Sequence, residues 1–350
     1  MATDPEWLTM AARAAGHFAP AFTGIEPINT GLINHTFRVT TADGRASILQ
    51  CVNPIHSPKV HFDIAAITTH LRRHGVIAPT LLPTTEGAVW LELDTRIWRM
   101  LSLVDGDTRT ELRRAAEARS AGGTLARFHV ALLDFPGPLH NSRLGVHDFD
   151  RHIAFLRQTL ATQREHPRYR HVIRLAESIL DYSRALPALP KLPDRLVHGD
   201  PKISNFMFRR GSDDAICLVD LDTLARMPLP FELGDALRSW CNPCGEDDPR
   251  GAFSLDLLRA AIEGYAAIAR GNIDRVEWRA FVAGTLRIQV ELAARFCADA
   301  LNESYFGWNP ARYTSRGEHN EIRAAGQLAA ARALTAQRDA AEAIIAAAFA

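Results

Sequence analysis

His198-Gly199-Asp200-Pro201-Lys202-Ile203-Ser204-Asn205, followed after a hairpin's length of chain by Leu218-Val219-Asp220-Leu221-Asp222, is the stretch on which the fold turns. Its spacing is that of a phosphotransfer site: a loop Asp to take the proton of an attacking hydroxyl, an Asn five residues on, and another Asp closing the next hairpin. Phosphoryl transfer asks little covalent work of a protein, but it needs several negative charges neutralised and held in line with the nucleophile. Asn205 and Asp220 are hard oxygen donors of the kind Mg2+ takes one or two at a time, leaving its other positions to water and phosphate. Asp200 is then the base. Lys202 is one of three lysines in a chain whose other cations are arginine, and as a point charge it could reach a γ-phosphate.

A His-Gly-Asp triplet alone is as readily a tight turn with a capping Asp. The frame around it decides. Phe206-Met207-Phe208 and the apolar run 216–219 read as strands, and 209–214 between them, Arg-Arg-Gly-Ser-Asp-Asp, reads as a hairpin turn. A strand-loop-strand frame ending in Asp-Leu-Asp is what a kinase site requires and what a chance turn would not supply.

Leu196 through Asn205, Val219-Asp220-Leu221-Asp222-Thr223 and Glu232-Leu233-Gly234-Asp235-Ala236-Leu237-Arg238 resemble the aminoglycoside phosphotransferase and choline kinase superfamily. Within it the chain is most similar to the N-acetylhexosamine 1-kinase branch. That narrower likeness is carried by 31–37 (Gly-Leu-Ile-Asn-His-Thr-Phe), 48–53 (Ile-Leu-Gln-Cys-Val-Asn), Trp98-Arg99-Met100, Arg127-Phe128 with Asp134-Phe135-Pro136, and Tyr305-Phe306 with Glu318-His319-Asn320. These stretches keep their order across nearly the whole chain.

The resemblance implies an α+β, protein-kinase-like two-lobe fold: residues 1–104 a nucleotide-binding lobe with an antiparallel sheet and a helix, 105–350 a larger, mostly helical catalytic and substrate-binding lobe. Periodicity agrees. Runs 36–41 and 46–52 flank Asp43-Gly44 as a hairpin, 58–74 has apolar residues at helical spacing, and 89–93 and 97–104 complete the sheet. Helical patterns follow at 115–133, 149–162, 171–185, 253–270, 277–302 and 321–349, with Gly122-Gly123 marking a close packing contact.

The resemblance also assigns roles. Asp200 is the base, His198 holds the catalytic loop, Asn205 and Asp220 hold Mg2+, and ATP is the co-substrate. Asn34 and Thr36 belong to the loop over the phosphates, 29–34, whose single glycine is equally a plain turn. Backbone groups near Leu101, Ser102 and Leu103 would meet the adenine edge. Asp222, on the same face of an extended segment as Asp220, would support Mg2+ or touch the sugar. Asp235 braces the catalytic loop from a helix start or is a simple cap. Arg295 and His319 match substrate-side positions of the branch, and singly each is as readily a packing residue. One departure stands out. The family plan puts a cation on the third strand, paired with a helix Glu. Here that strand reads Ile48-Leu49-Gln50-Cys51-Val52, and the helix offers Asp63. Gln50 can donate to phosphate only without charge, which shifts weight onto Lys202.

With 350 residues and 47% hydrophobic content the chain can bury a large core. Its 40 basic and 40 acidic residues cancel, so no global field recruits nucleic acid or an anionic membrane, and a small-molecule partner, a sugar, is expected. No apolar run approaches spanning length and no leader precedes the first helix pattern, so the expected location is cytoplasmic. The five cysteines form no disulfide framework, and Cys241-Asn242-Pro243-Cys244 reads as a turn without a second ligand pair. The resulting expectation is an ATP-dependent kinase for a sugar hydroxyl. The alternatives are another small hydroxyl acceptor (aminoglycoside, amino alcohol or homoserine) or a nucleotide-binding pseudokinase; a metal-dependent phosphoesterase would need more His and Asp ligands than the strands offer.

Overall fold

The computed structural model describes residues 5–28, 34–141 and 147–350, so the expected phosphate loop lies, apart from Asn34, outside the described residues. The chain forms two compact units. The first comprises Met1–Asp105, Asp134–Ser142 and Val219–Asp222, the second Gly106–Leu133, Arg143–Leu218 and Thr223–Ala350. The contiguous division at 104/105 expected from sequence thus leaves two short downstream segments to be added to the first unit.

In the first unit α1 (Pro5–Phe18) precedes β1 (Phe22–Ile28), β2 (His35–Thr41) and β3 (Ala46–Val52). Next come α2 (Val60–Arg73), β4 (Leu81–Leu82), β5 (Leu91–Leu93) and β6 (Arg96–Ser102). The strands pair antiparallel in the order β1-β2-β3-β6-β4, with β5 also on β6. Strand alternation sorts the side chains. Phe37, Val39, Leu49, Cys51, Trp98 and Met100 are buried in one cluster with Ala11, Ala14 and Ala15 of α1. The intervening residues fall on the opposite face in register: Thr36 opposite Gln50, and Gln50 opposite Arg99. A polar row therefore runs across three strands.

The second unit begins with β7 (Asp107–Thr108), α3 (Ala115–Ala131), α4 (Phe149–Thr162) and α5 (Tyr169–Ala185). It continues through β8 (Asp194–Val197), β9 (Phe206–Phe208), β10 (Ala215–Leu218) and β11 (Ala225–Pro228). The helices α6 (Leu229–Trp240), α7 (Leu255–Ala269), α8 (Arg275–Trp278), α9 (Phe281–Asn302), α10 (Arg316–Ala336) and α11 (Arg338–Phe349) complete it. β9 and β10 form the expected hairpin, and β8 pairs with β11. Gly122 allows α3 to meet α7, because a Cβ there would lie 2.0 Å from Ala261 O. The Ala-rich C-terminal pattern is two helices, not one. At Gln337 the backbone leaves helical geometry (φ −116°) while the side-chain amide donates to Phe253 O and Ala333 O. Among the described residues no helix is long and apolar enough to cross a membrane.

Candidate active site

In the second unit the loop from β8 to β9 carries His198, Asp200, Lys202 and Asn205. Gly199 adopts φ +83°, and a Cβ there would lie 2.1 Å from Thr223 O, so no other residue fits. The loop's two leading amides, His198 N and Gly199 N, both donate to the carboxylate of Glu232 at 3.0 and 2.9 Å. Glu232 is fully buried on α6 and also bonds His129 Nε2 at 3.3 Å, whose Nδ1 meets Tyr265 Oη. Burial would raise the Glu232 carboxyl, but His129, His198 and the Gly199 amide outweigh it and keep the group below the usual range. On the other flank Trp240 Nε1 donates to Pro201 O at 3.0 Å, and Ser239 Oγ receives the Ile203 amide.

This scaffold fixes the polar side chains. Asp200 N–H donates to His198 Nδ1, so His198 acts on the loop as an acceptor. Lys202 Nζ donates to Asp200 Oδ2 at 2.5 Å. Asn205 Nδ2 donates to Asp200 O at 2.8 Å and to Asp200 Oδ2 at 3.1 Å. Burial pushes the Asp200 carboxyl up, but Lys202, then Arg238 and His198, push harder and hold it below the ordinary value. Asp235 goes the other way: its burial, reinforced by the charge of Asp200, exceeds the pull of Arg238 and raises it. Two neighbouring carboxyls are thereby driven apart, Asp200 downwards and Asp235 upwards. Asp235 sits inside α6, not at its start, and pairs with Arg238 at 2.8 Å, while Arg238 also binds Glu246 at 2.7 Å. The brace expected of Asp235 is supplied instead by Glu232, one turn earlier on the same helix.

In the first unit the polar row of the sheet closes on Asp222. Arg99 donates through Nη1 and Nη2 to both oxygens of Asp222, the Nη2 bond being 2.8 Å, and through Nε and Nη2 to Gln50 Oε1 at 2.9 and 2.7 Å. The Arg99 and Asp222 side chains are 2% and 1% exposed, so the pair is dry and little screened. Asn34 Nδ2 adds a bond to Asp222 Oδ2 at 3.0 Å, and Gln50 Nε2 donates to Thr36 Oγ1 at 3.2 Å. Burial opposes ionisation of Asp222, but Arg99, with help from His56 and Asn34, drives its carboxyl far below the usual range. His61 nearby is lowered to about 4, by burial and then by Arg99, so its imidazole is neutral and does not compete for Asp222.

Three expectations are corrected here. Asp222 does not share an extended segment with Asp220: Leu221–Thr223 is a 3-10 turn and Asp220 is left-handed, φ +63°. The Asp222 carboxylate is taken up by Arg99. Gln50 is not a lone stand-in for the strand cation; its carbonyl is held by Arg99, the cation displaced to the neighbouring strand β6. Asp63 on α2 does not pair with a strand cation either, because its carboxylate accepts the amides of His140 and Asn141 at 2.7 and 2.8 Å.

Of the backbone groups expected at an adenine edge, Leu101 lies inside the sheet, paired with Ile48 on one side and Leu81 on the other. The Ser102 amide donates to Thr80 O, so an amide already spent in the sheet cannot also meet a base. Leu103 lies past the end of β6 and escapes that objection. Elsewhere in the second unit Arg295 stands 3.7 Å from buried Glu291 and over the rings of Tyr305 and Phe306. His319 is buried, stacks on Tyr313 and bonds Asp247 at 2.8 Å; that acid also takes Arg323 and is lowered to about 2. Cys241 is buried and its thiol raised by burial, in keeping with a simple turn at 241–244.

A model of the phosphotransferase enzyme family matches residues 24–270. Among solved structures the chain is similar to a microcompartment-associated aminopropanol kinase (15% identity, TM-score 0.63, covering 94% of this chain and 98% of that one). It is similar also to a choline kinase from Cryptosporidium parvum (14%, TM-score 0.62, 99% and 100%). A third likeness is to an amicoumacin kinase in complex with AMP-PNP, Ca2+ and Ami (12%, TM-score 0.62, 92% of each). Over nearly its whole length the chain thus has the protein-kinase-like α+β fold of these proteins.

Proposed function

The chain belongs to the phosphotransferase enzyme family, and from that premise we propose that it is an ATP-dependent kinase for a small sugar, acting on the anomeric hydroxyl of an N-acetylhexosamine. It is a small-molecule phosphotransferase with an alcohol group as acceptor. The observation that carries the reading is Asp200, an ionised carboxylate on a loop bolted to buried Glu232. In the proposed reaction Asp200 takes the O–H proton of the acceptor as the acceptor oxygen bonds to the γ-phosphorus, and the bond from that phosphorus to the ADP oxygen breaks.

The donor set fits a divalent metal. Asn205 Nδ2 is committed to Asp200 O, which can only accept, so the amide's carbonyl oxygen is its ligand atom. Asp220 is likewise a hard-oxygen donor of the kind Mg2+ takes. When bound, Mg2+ would neutralise charge on the triphosphate and hold it in line. Arg99 answers the missing strand cation as a positioning residue: it grips Asp222 and so sets the segment that carries Asp220. That argues against a pseudokinase. Lys202, held on Asp200, serves first to keep that carboxylate ionised, and its reach to the phosphates is a second role.

The hexosamine reading rests on the resemblance at Trp98-Arg99-Met100 and 48–53, and one electrostatic observation favours a neutral acceptor. Two acids of the second unit are already paired: buried Glu291 with His147 and Arg295, and partly exposed Asp247 with His319 and Arg323. Neither of these two acids is left over for a cationic amine. The second reading, an amino alcohol, draws on the likeness to aminopropanol and choline kinases. ADP release from MgATP across N-acetylglucosamine, N-acetylgalactosamine, choline, aminopropanol, homoserine and kanamycin separates them. Turnover is expected with an N-acetylhexosamine, its product losing the reducing end. Turnover confined to the amino alcohols would replace the acceptor assignment, and nucleotide binding without turnover on any acceptor would end the kinase assignment.

A further inference from the structure

The end of α2 carries His70 and His74, four residues apart and therefore on one side of the last turn. Asp134, sixty residues on, packs in the same unit and meets both rings: Oδ1 is 3.0 Å from His70 Nε2 and Oδ2 is 3.5 Å from His74 Nε2. One donor atom from each of the three residues lies within 4.8 Å of the others. A tetrahedral zinc ion with arms of about 2.0–2.1 Å separates adjacent ligand atoms by about 3.3 Å, a spacing near that of each ring nitrogen from the carboxylate oxygen it faces, Oδ1 for His70 and Oδ2 for His74.

The hydrogen bonding points the same way. His74 Nδ1 lies 3.1 Å from the backbone carbonyl of His70, which can only accept, so Nδ1 carries the hydrogen. In the neutral ring Nε2 is then a bare lone pair facing a carboxylate oxygen. Only a bound cation, or a proton on Nε2 that makes the ring an imidazolium, lets those two atoms attract. A ring nitrogen fixed by its partner's N–H to a backbone carbonyl, leaving the other nitrogen for the metal, is also how protein ligands are oriented. Phe135 packs edge-on against His70, and the cluster keeps one open side, the Asp134 side chain being 70% exposed.

We propose that His70, His74 and Asp134 form a zinc site, with water in the fourth position, that fastens segment 134–141 to the end of α2. Two imidazoles and one carboxylate suit a borderline ion such as zinc and not Mg2+, so the site is separate from the Asn205 and Asp220 donors. Asp63 already ties the far end of the same segment through the amides of His140 and Asn141. Zinc would tie the near end, closing a chain loop of about sixty residues and stabilising the folded chain by its binding free energy.

The test uses the full chain stripped of metal, held in saturating Mg2+ and titrated with Zn2+ by calorimetry and by thermal shift. One saturable equivalent and a rise in melting temperature are expected. Cobalt(II) should give the intense visible bands of a four-coordinate ion. His74→Ala, and independently Asp134→Asn should the first fail to fold, should weaken the equivalent at least tenfold and abolish the cobalt bands. If no saturable equivalent binds, or if it survives both substitutions unchanged, the three residues are only an imidazole-aspartate cluster and the proposal is overturned.

Discussion

The catalytic loop of the second unit and the Arg99–Asp222 network of the first are both webs of charge and amide, yet they are built in opposite ways. The loop is local: Asn205 bonds the Asp200 carbonyl five residues back, and the shape is forced by one left-handed glycine and one buried acid. The network is assembled at long range, Arg99 meeting Asp222 across 123 residues and Asn34 meeting it across 188. The Lys202 and Asp200 side chains are 33% and 21% exposed, whereas the Arg99 pair is sealed. Partial exposure leaves Asp200 accessible to a substrate while Lys202 tunes its charge. Sealing makes the other pair a matter of folding.

The sharpest way to break the comparison is Asp200→Asn. Turnover in the ADP-release assay should fall by roughly 10²–10⁴ while the melting temperature barely moves. Arg99→Met should do the reverse of that split. It strands a buried carboxylate and should cost about 3–5 kcal/mol in urea unfolding, most of it regained when Asp222→Leu is added. Because Asp222 ionises below its unfolded range, the pair's contribution is complete above about pH 4 and fades as the pH falls through the lower folded value. A stability profile unaltered by Arg99→Met in that acid window would mean the pair is not what holds the segment. The smallest effect belongs to Lys202→Met, expected to cost no more than about 1 kcal/mol. Removing the cation that depresses Asp200 raises its carboxyl, so the acid limb of the turnover profile should move to higher pH. A limb that stays put would assign Lys202 to the phosphates alone.

The two regions also differ in how far the sequence discloses them. Asp200, Asn205 and Asp220 are legible because their spacing is fixed by one hairpin, and the strands at 46–52 and 206–208 are legible because apolar runs there abut hairpin turns. Arg99 was in view in Trp98-Arg99-Met100, but its role was not. Finding it requires the register that sets Gln50 opposite Arg99, and register is a tertiary fact. Glu232 was hidden by its neighbour Asp235: both lie on one helix, and only the side that faces His198 tells which carboxylate takes the loop amides. The Gln337 break in the last helix is invisible for a similar reason, since its partner is the carbonyl of Phe253.

The four residues Val219–Asp222 belong with the first unit while the chain on either side of them belongs with the second. The sheet therefore cannot be liberated by proteolysis or truncation near residue 105. A fragment ending there would keep Arg99 and lose Asp222, so a guanidinium that is dry in the whole protein would have to be hydrated or paired anew. A single cut near residue 105 parts Arg99 from its own counter-ion.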